Sequence, residues 1–277
     1  MASDSKRRRL VVNADDFGRS RSINRAVVEA HREGILTTAS LMVNGGATQE
    51  AVNLAGEHPD LGVGLHLTLV CGRSSLKPTE VPGLVDDRYQ FSSSPFRAGL
   101  RYYFRRSLRW QLRHEIAAQV SKFKALGLDL DHLNGHLNIH LHPTIASIVE
   151  HNAAAWGIRH ARLTRDLFWL NAKLAKGRWI YRVSHALIFS ALASAARDAF
   201  DRAQIRYAPT VFGLLQDSNI TESYLLSLIP HLPEGVSEVY CHPSLGRFRH
   251  ELDALCSPKV RKLLESEDVE LVRYQDI

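Results

Sequence analysis

From end to end the chain alternates short runs that read as strands with longer amphipathic runs that read as helices, and that rhythm leaves few architectures open. Leu10–Ala14 is followed by an amphipathic stretch from Ser20 to Gly34 and then by Thr37–Val43. A helix ending near His58, a strand over Gly62–Leu69, a long helix from about Gly99 to Leu126 and a strand over Leu128–Leu133 continue the pattern. Then a helix over Pro143–Trp156 precedes a strand over Ile158–Leu163, and Ile205–Val211 precedes a helix over Thr221–Leu228. Ser237–Cys241 precedes a helix over Glu251–Leu264, and Val269–Tyr274 closes the chain. Seven or eight strands separated by helices imply a parallel α/β sheet covered by helices, open or closed into a barrel. A length of 277 residues favours the barrel. No Gly/Ser or Pro-rich linker and no internal repeat divides the sequence, so the expectation is one domain over 1–277, with residues 1–8 a disordered basic N-terminus.

Composition excludes several classes. With 45% apolar and 23% charged residues, the chain is not disordered as a whole. Its longest weakly apolar run, Ala186 to Ala196, falls short of the ~20 residues that span a bilayer, so no transmembrane helix is expected. After Lys6-Arg7-Arg8-Arg9 only Leu10-Val11-Val12 precede Asn13, too short for a signal-peptide core of ~7–15 residues, and the expected location is the cytoplasm. Cys71, Cys241 and Cys256 form no CxxC pair, so they read as small buried hydrophobes rather than a disulfide framework.

Thirty-five basic against 29 acidic residues give a net charge of +6, which favours anionic neighbours. The excess is local, because Arg97 to Arg113 holds six arginines and no acid. Within it Leu100, Phe104, Leu108 and Leu112 recur at i, i+4, with Arg101, Arg105, Arg109 and Arg113 beside them and Tyr102, Tyr103 and Trp110 around. A second segment, Phe168 to Phe189, mixes Trp169, Trp179 and Tyr181 with Lys173, Lys176, Arg178 and Arg182. Two readings fit both: ordinary barrel helices with arginines facing water, or peripheral contact with an anionic membrane surface.

In a parallel sheet the chemistry belongs at the C-terminal strand ends. The first strand ends in Asn13-Ala14-Asp15-Asp16-Phe17-Gly18 and the third carries Gly64-Leu65-His66-Leu67. The fourth runs into Asn134-Gly135-His136-Leu137-Asn138-Ile139-His140-Leu141-His142-Pro143, and a later one ends at Cys241-His242-Pro243. Carboxylate oxygen and imidazole nitrogen are the ligand set of a catalytic zinc or similar ion, and three protein ligands leave a position for water. Each element has a plainer explanation: Asp15-Asp16 can cap the next helix, and His66 can be a hydrogen-bonded core histidine. Four such sites on one rim favour shared chemistry. Cys241-His242 as a nucleophile pair is disfavoured, since neighbours on a strand point to opposite faces.

The segments NADDFG, GLHLTL, HLNGHLNIHLHP and YCHP, in this order and over essentially the whole chain, resemble the YdjC-like carbohydrate deacetylases. LVVNADDFG, GILTTASLMV, GHLNIHLHP, ARLTRD and ELDALCSP look most like the hopanoid-associated HpnK subgroup. The resemblance implies an irregular (β/α) TIM-like barrel and metal-dependent removal of acetyl from an N-acetylglucosamine unit. For the subgroup it implies N-acetylglucosaminyl bacteriohopanetetrol as substrate, and for the wider family a chitooligosaccharide. Carried over by residue, it places the metal on Asp16, His66 and His136, with Asp15 as the partner base. The wider family usually reads Asp-Ser-His-x-His where this chain has Asn134-Gly135-His136-Leu137-Asn138, which leaves His136 and His140 as competing ligands, His136 first.

The expected cofactor is one divalent metal ion, with zinc, magnesium and others all open. Asp15 is expected to take the proton of the attacking water and His242 to protonate the departing amine. Asn44, Arg165 and His140 are candidate substrate contacts. The expected partner is an N-acetylglucosamine-containing glycolipid or oligosaccharide, and no nucleic acid, since no DNA or RNA motif accompanies the basic charge. The rival classes are a metal-dependent phosphoester hydrolase, which commonly carries more carboxylates, and a non-catalytic sugar-binding barrel.

Overall fold

The computed structural model describes residues 7–277, and Met1–Lys6 of the expected disordered N-terminus lie outside the described residues. The expectation for residues 7 and 8 is corrected: Arg8 begins the first strand and hydrogen-bonds the Glu267 carboxylate at 3.1 Å.

That strand, β1 (Arg8–Phe17), is the spine of the molecule, buried along almost its whole length. The others are β2 (Thr38–Leu41), β3 (Gly62–Leu67), β4 (Leu133–Gly135), β5 (Thr210–Phe212), β6 (Gly235–Cys241) and β7 (Val269–Leu271). All pairings are parallel, in the order β4-β3-β2-β1-β6-β5. One side of β1 carries β6 from Arg8↔Gly235 to Ala14↔Cys241. The other carries β7 against Arg8–Leu10 and β2 against Asn13–Phe17, so the last strand fills the start of a groove whose end belongs to β2.

The curled sheet approaches closure through an extended segment. Leu133 and Arg162 exchange backbone bonds around β4, Leu133 N to His160 O at 2.9 Å and Arg162 N to Leu133 O at 3.0 Å. Ala161 N donates to Arg206 O and Val211 N to Arg165 O, both at 3.0 Å, so residues 158–165 lie between the two sheet edges. The expected strand Ile158–Leu163 is thus present as an extended segment holding only isolated bridges, and Ile205–Val211 reduces to one such bridge and β5. Leu128–Leu133 pairs only from Leu133 onward.

Helices α1 (Arg21–Glu33) and α2 (Thr48–Glu57) connect β1 to β3. The expected long helix over Gly99–Leu126 is two, α3 (Pro95–Phe104) and α4 (Arg109–Ala125), because Arg105 leaves helical conformation at ψ 88° and a 3₁₀ turn follows. The break divides the apolar stripe: Leu108 and Leu112 enter the core, whereas Leu100 and Phe104 stay exposed. Helix α5 (Pro143–Trp156) starts on a proline and stops at Gly157, whose φ of 67° suits glycine. Then come α6 (Phe168–Leu174), α7 (Trp179–Arg202) and α8 (Glu222–Leu228). The expected helix over Glu251–Leu264 splits into α9 (Arg249–Leu255) and α10 (Pro258–Ser266), since Pro258 cannot continue a helix but can begin one. Cysteines Cys241 and Cys256 are buried and half-buried as expected, whereas Cys71 is exposed. Among the described residues no helix is long and apolar enough to cross a membrane.

Candidate metal centre

In a regular strand Asp15 and Asp16 would face opposite sides of the sheet. Here the β1–β2 register shifts between Ala14 and Phe17, and Asp16 takes a φ of 65°. A bulge of this kind re-aims side chains, and both carboxylates end buried at the same strand end. Asp16 Oδ1 then lies 3.4 Å from His66 Nε2 of β3 and 3.0 Å from His136 Nδ1, just beyond β4. Ligand atoms of Asp16, His66 and His136 all lie within 4.8 Å of one another. Three strand ends supply one donor each, as the curl of the sheet requires.

Whether these donors fit a cation can be read from their other contacts. Asp16 Oδ2 accepts from Arg19 at 2.6 Å, while Oδ1 is buried and has no hydrogen-bond partner among the described residues. His66 Nδ1 sits 2.7 Å from Asn134 Oδ1, a bond that places the proton on Nδ1 and leaves Nε2 as a lone-pair donor toward Asp16. A buried, unpartnered carboxylate oxygen facing two imidazoles is a costly arrangement alone and a suitable one around a divalent ion.

Asp15 is held differently. Its Oδ1 accepts from Asn13 Nδ2 at 2.8 Å and Asn134 Nδ2 at 2.9 Å, and the Arg162 guanidinium spans both oxygens at 2.7 and 2.9 Å. Burial alone would raise its pKa, but Arg162, His66 and His242 outweigh it and hold the carboxyl well below the usual range. Arg162 is fully buried, its Nε donates to Glu238 Oε1 at 2.9 Å, and it lies 4.2 Å over the Tyr240 ring. Glu238 in turn accepts from Tyr274 Oη just beyond β7.

His242, past the end of β6, completes the group. Its Nε2 is 4.0 Å from Asp15 Oδ2 and its Nδ1 3.8 Å from Asp217 Oδ1, and its backbone N–H donates to Glu251 Oε2 at 2.5 Å. Burial would lower its pKa, yet the carboxylates of Asp15, Asp16, Glu251 and Asp217 together raise it. Cys241 is directed away, its Sγ toward Asn13 O at 3.4 Å, and burial pushes its thiol pKa well up, so it is no nucleophile. Asp15, His136 and His242 line a cavity of about 730 Å³ whose wall is otherwise largely apolar, including Phe96, Leu100, Tyr103, Leu137 and Phe189. Leu137 and Asn138 take φ of 52° and 55°, which turns Leu137 out to the cavity while Asn138 stays buried against Thr164 Oγ1 at 2.7 Å.

The structure therefore gathers Asp15, Asp16, His66, His136 and His242. It does not bring Asn44, Arg165 or His140 to this cavity. Asn44 instead bonds Ser75 Oγ and accepts from Lys122, and exposed Arg165 lines a separate cavity beside Asp166 and Trp169. His140 is fully buried, its Nε2 2.9 Å from Arg162 O, and burial lowers its pKa to about 3. Sequence reasoning missed Arg162, Glu238 and Asp217. For Arg162 a signal existed: His160, Arg162 and Thr164 alternate with apolar Ala161 and Leu163, which places three polar side chains on one inward face.

A carbohydrate deacetylase of Geobacillus stearothermophilus is 28% identical over 284 residues, covering 97% of this chain and 98% of that one. A chitooligosaccharide deacetylase of Salmonella dublin is 31% identical over 269 residues, covering 92% and 88%. A carbohydrate deacetylase of Brevibacillus brevis is 45% identical over 141 residues, a match spanning about half of each chain, 51% of this one and 54% of that one. The crystal structure of an Enterococcus faecalis V583 protein, provisionally assigned to cellobiose-phosphate cleavage, shares the fold with a TM-score of 0.74 at 21% identity over 98% of both chains. With the model of the YdjC-like proteins matching residues 9–266, the chain belongs to the YdjC-like protein family.

Proposed function

We propose that this protein is a metal-dependent carbohydrate N-deacetylase that removes acetyl from an N-acetylglucosamine unit. The observation that carries the reading is the convergence of the Asp16, His66 and His136 donors with Asp15 and His242 at one end of one cavity. Similarity along nearly the whole chain to the Geobacillus and Salmonella deacetylases supports the same reaction class.

Asp16, His66 and His136 would hold a divalent cation, which when bound would supply Lewis acidity toward water and an amide carbonyl. Asn134 orients His66 for that role and ties its position to Asp15 through the second half of its amide. Asp15 accepts the proton that the attacking water loses. Arg162 fixes the plane of that carboxylate and favours its ionised form, so Asp15 stands unprotonated to receive the proton. His242, whose neighbouring carboxylates keep it protonated to higher pH than a free histidine, gives its proton to the departing amine.

On the substrate, a sugar chain would call for polar partners along the cavity, whereas the wall away from Asp15 and His242 is mostly aromatic and aliphatic. Together with the resemblance to the hopanoid-associated subgroup, this favours a lipid-linked sugar such as N-acetylglucosaminyl bacteriohopanetetrol over a chitooligosaccharide. The test is acetate release from an N-acetylglucosaminyl lipid and from chitooligosaccharides, with and without chelator. Chelator-sensitive acetate is expected, faster from the lipid, and its absence from both substrates would overturn the reading.

A further inference from the structure

We infer that the face around the cavity mouth docks on an anionic lipid bilayer. Helices α3 and α7 both contribute to the cavity wall, and both leave large apolar side chains in water beside it. On α3 the wall residues Phe96 and Phe104 are 75% and 73% exposed. On α7 Ile180 and Leu187, outside the cavity, are 89% and 70% exposed, with Val183 between them, a spacing that makes one stripe along the helix. Monomeric soluble proteins scatter such residues singly rather than around one opening.

Charge selects the occupant. No acid occurs from Arg97 to His114 or from Leu167 to Arg197. Exposed Arg105 and Arg106 directly follow Phe104, and exposed Lys176 and Arg178 directly precede Trp179 and Ile180. Aliphatic and aromatic side chains flanked by cations match an anionic membrane surface, where the apolar groups enter the acyl boundary and the cations stay among the phosphates. A second copy of this chain meeting the same face would set these cations against one another. Nucleic acid would leave Ile180 and Leu187 without a partner, since neither can stack on a base. No described helix can cross the bilayer, so the contact is peripheral. The inference deepens the glycolipid reading, and rests on it for the sense of the arrangement: a sugar headgroup would reach Asp15 and His242 while its lipid remains at the membrane.

The test is co-sedimentation of the full chain with phosphatidylglycerol vesicles and with neutral phosphatidylcholine vesicles, at low and high salt. The expected result is binding to the anionic vesicles that high salt releases. Ile180→Ser with Leu187→Ser, and separately Arg105→Gln with Arg106→Gln, should each weaken partition roughly tenfold at an unchanged melting temperature. No binding to anionic vesicles at low salt would overturn the inference. So would wild-type binding by both double variants, or a dimer in solution that the Ile180→Ser/Leu187→Ser variant dissolves. Vesicle binding is read without turnover, so its failure leaves the deacetylase reading standing, and absent acetate release leaves docking standing.

Discussion

Arg162 grips Asp15 with both ends of its guanidinium, Nη1 to Oδ2 at 2.7 Å and Nη2 to Oδ1 at 2.9 Å, in a position shielded entirely from water. Its remaining nitrogen is spent on Glu238 of β6, so one guanidinium joins the end of β1 to the neighbouring strand. Removing it leaves two buried carboxylates facing each other. Arg162→Ala should therefore cost about 3–5 kcal/mol of stability, read from urea denaturation. Arg162→Lys should fold but lose the fork, lowering acetate release on the order of 10–100-fold. Wild-type turnover in Arg162→Lys would show that the plane of Asp15 does not matter.

Asp15 and Asp16 should separate in function despite being adjacent. Asp15→Asn is expected to retain metal while acetate release drops at least ~100-fold. His66→Ala should lose both. Metal stoichiometry after dialysis, measured beside activity, checks this; equal metal loss in the two variants would count against distinct roles.

Asn134 bridges the two carboxylate systems, accepting from His66 and donating to Asp15. Asn134→Ala should weaken metal affinity roughly 10–100-fold, since the imidazole loses the partner that sets its tautomer. Competition with a metal-binding dye reads the shift, and an unchanged affinity would remove Asn134 from the support of His66.

Stability should fall on mild acidification. His140 is buried with its pKa lowered from 6.5 to about 3 by desolvation, so below pH 6.5 the unfolded chain takes up a proton that the folded chain refuses. This contribution is complete above pH 6.5 and declines as pH falls toward 3, by at most about 1.4 kcal/mol per pH unit. His142 and His160 are shifted the same way by burial. Urea midpoints between pH 7 and 5 should decline, and His140→Gln should flatten the decline. An equal slope in that variant would refute the assignment.

Gly64, in the GLHL segment, faces the His132 ring so closely that an added Cβ would lie 2.5 Å from it. That ring bonds Ser40 Oγ and Asp131 Oδ2, each at 2.8 Å, and stacks on Tyr274 at 4.5 Å. Gly64→Ala should then cost about 1–3 kcal/mol, seen as a lower urea midpoint. No change would mean that the ring moves freely.

Much of this molecule was legible locally. The period of the apolar residues marks β1, α1, β3 and α5, and the chemistry-bearing side chains Asp15, Asp16, His66, His136 and His242 stand where strands end. What periodicity cannot reveal is the partner across the curled sheet. The sequence reading names Arg165 of ARLTRD and passes over Arg162, yet Arg165 is exposed and Arg162 fully buried between Asp15 and Glu238, which lie on strands far away in sequence. The apolar stripe from Leu100 to Leu112 likewise read as one helix face, and only the turn at Arg105 sends half of it into the core and half to the cavity mouth.

By itself, then, the order of residues determined the alternation of strands and helices, the rim on which the reactive groups lie and their ligand types, because backbone periodicity and side-chain chemistry are short-range properties. Tertiary structure alone decided that the register shift at the end of β1 brings Asp15 and Asp16 to one buried site, that Arg162 rather than Arg165 meets Asp15, and that β7 wedges beside β1. Those outcomes depend on which groups are removed from water together, and the cost of burying a charge is settled only by what stands opposite it.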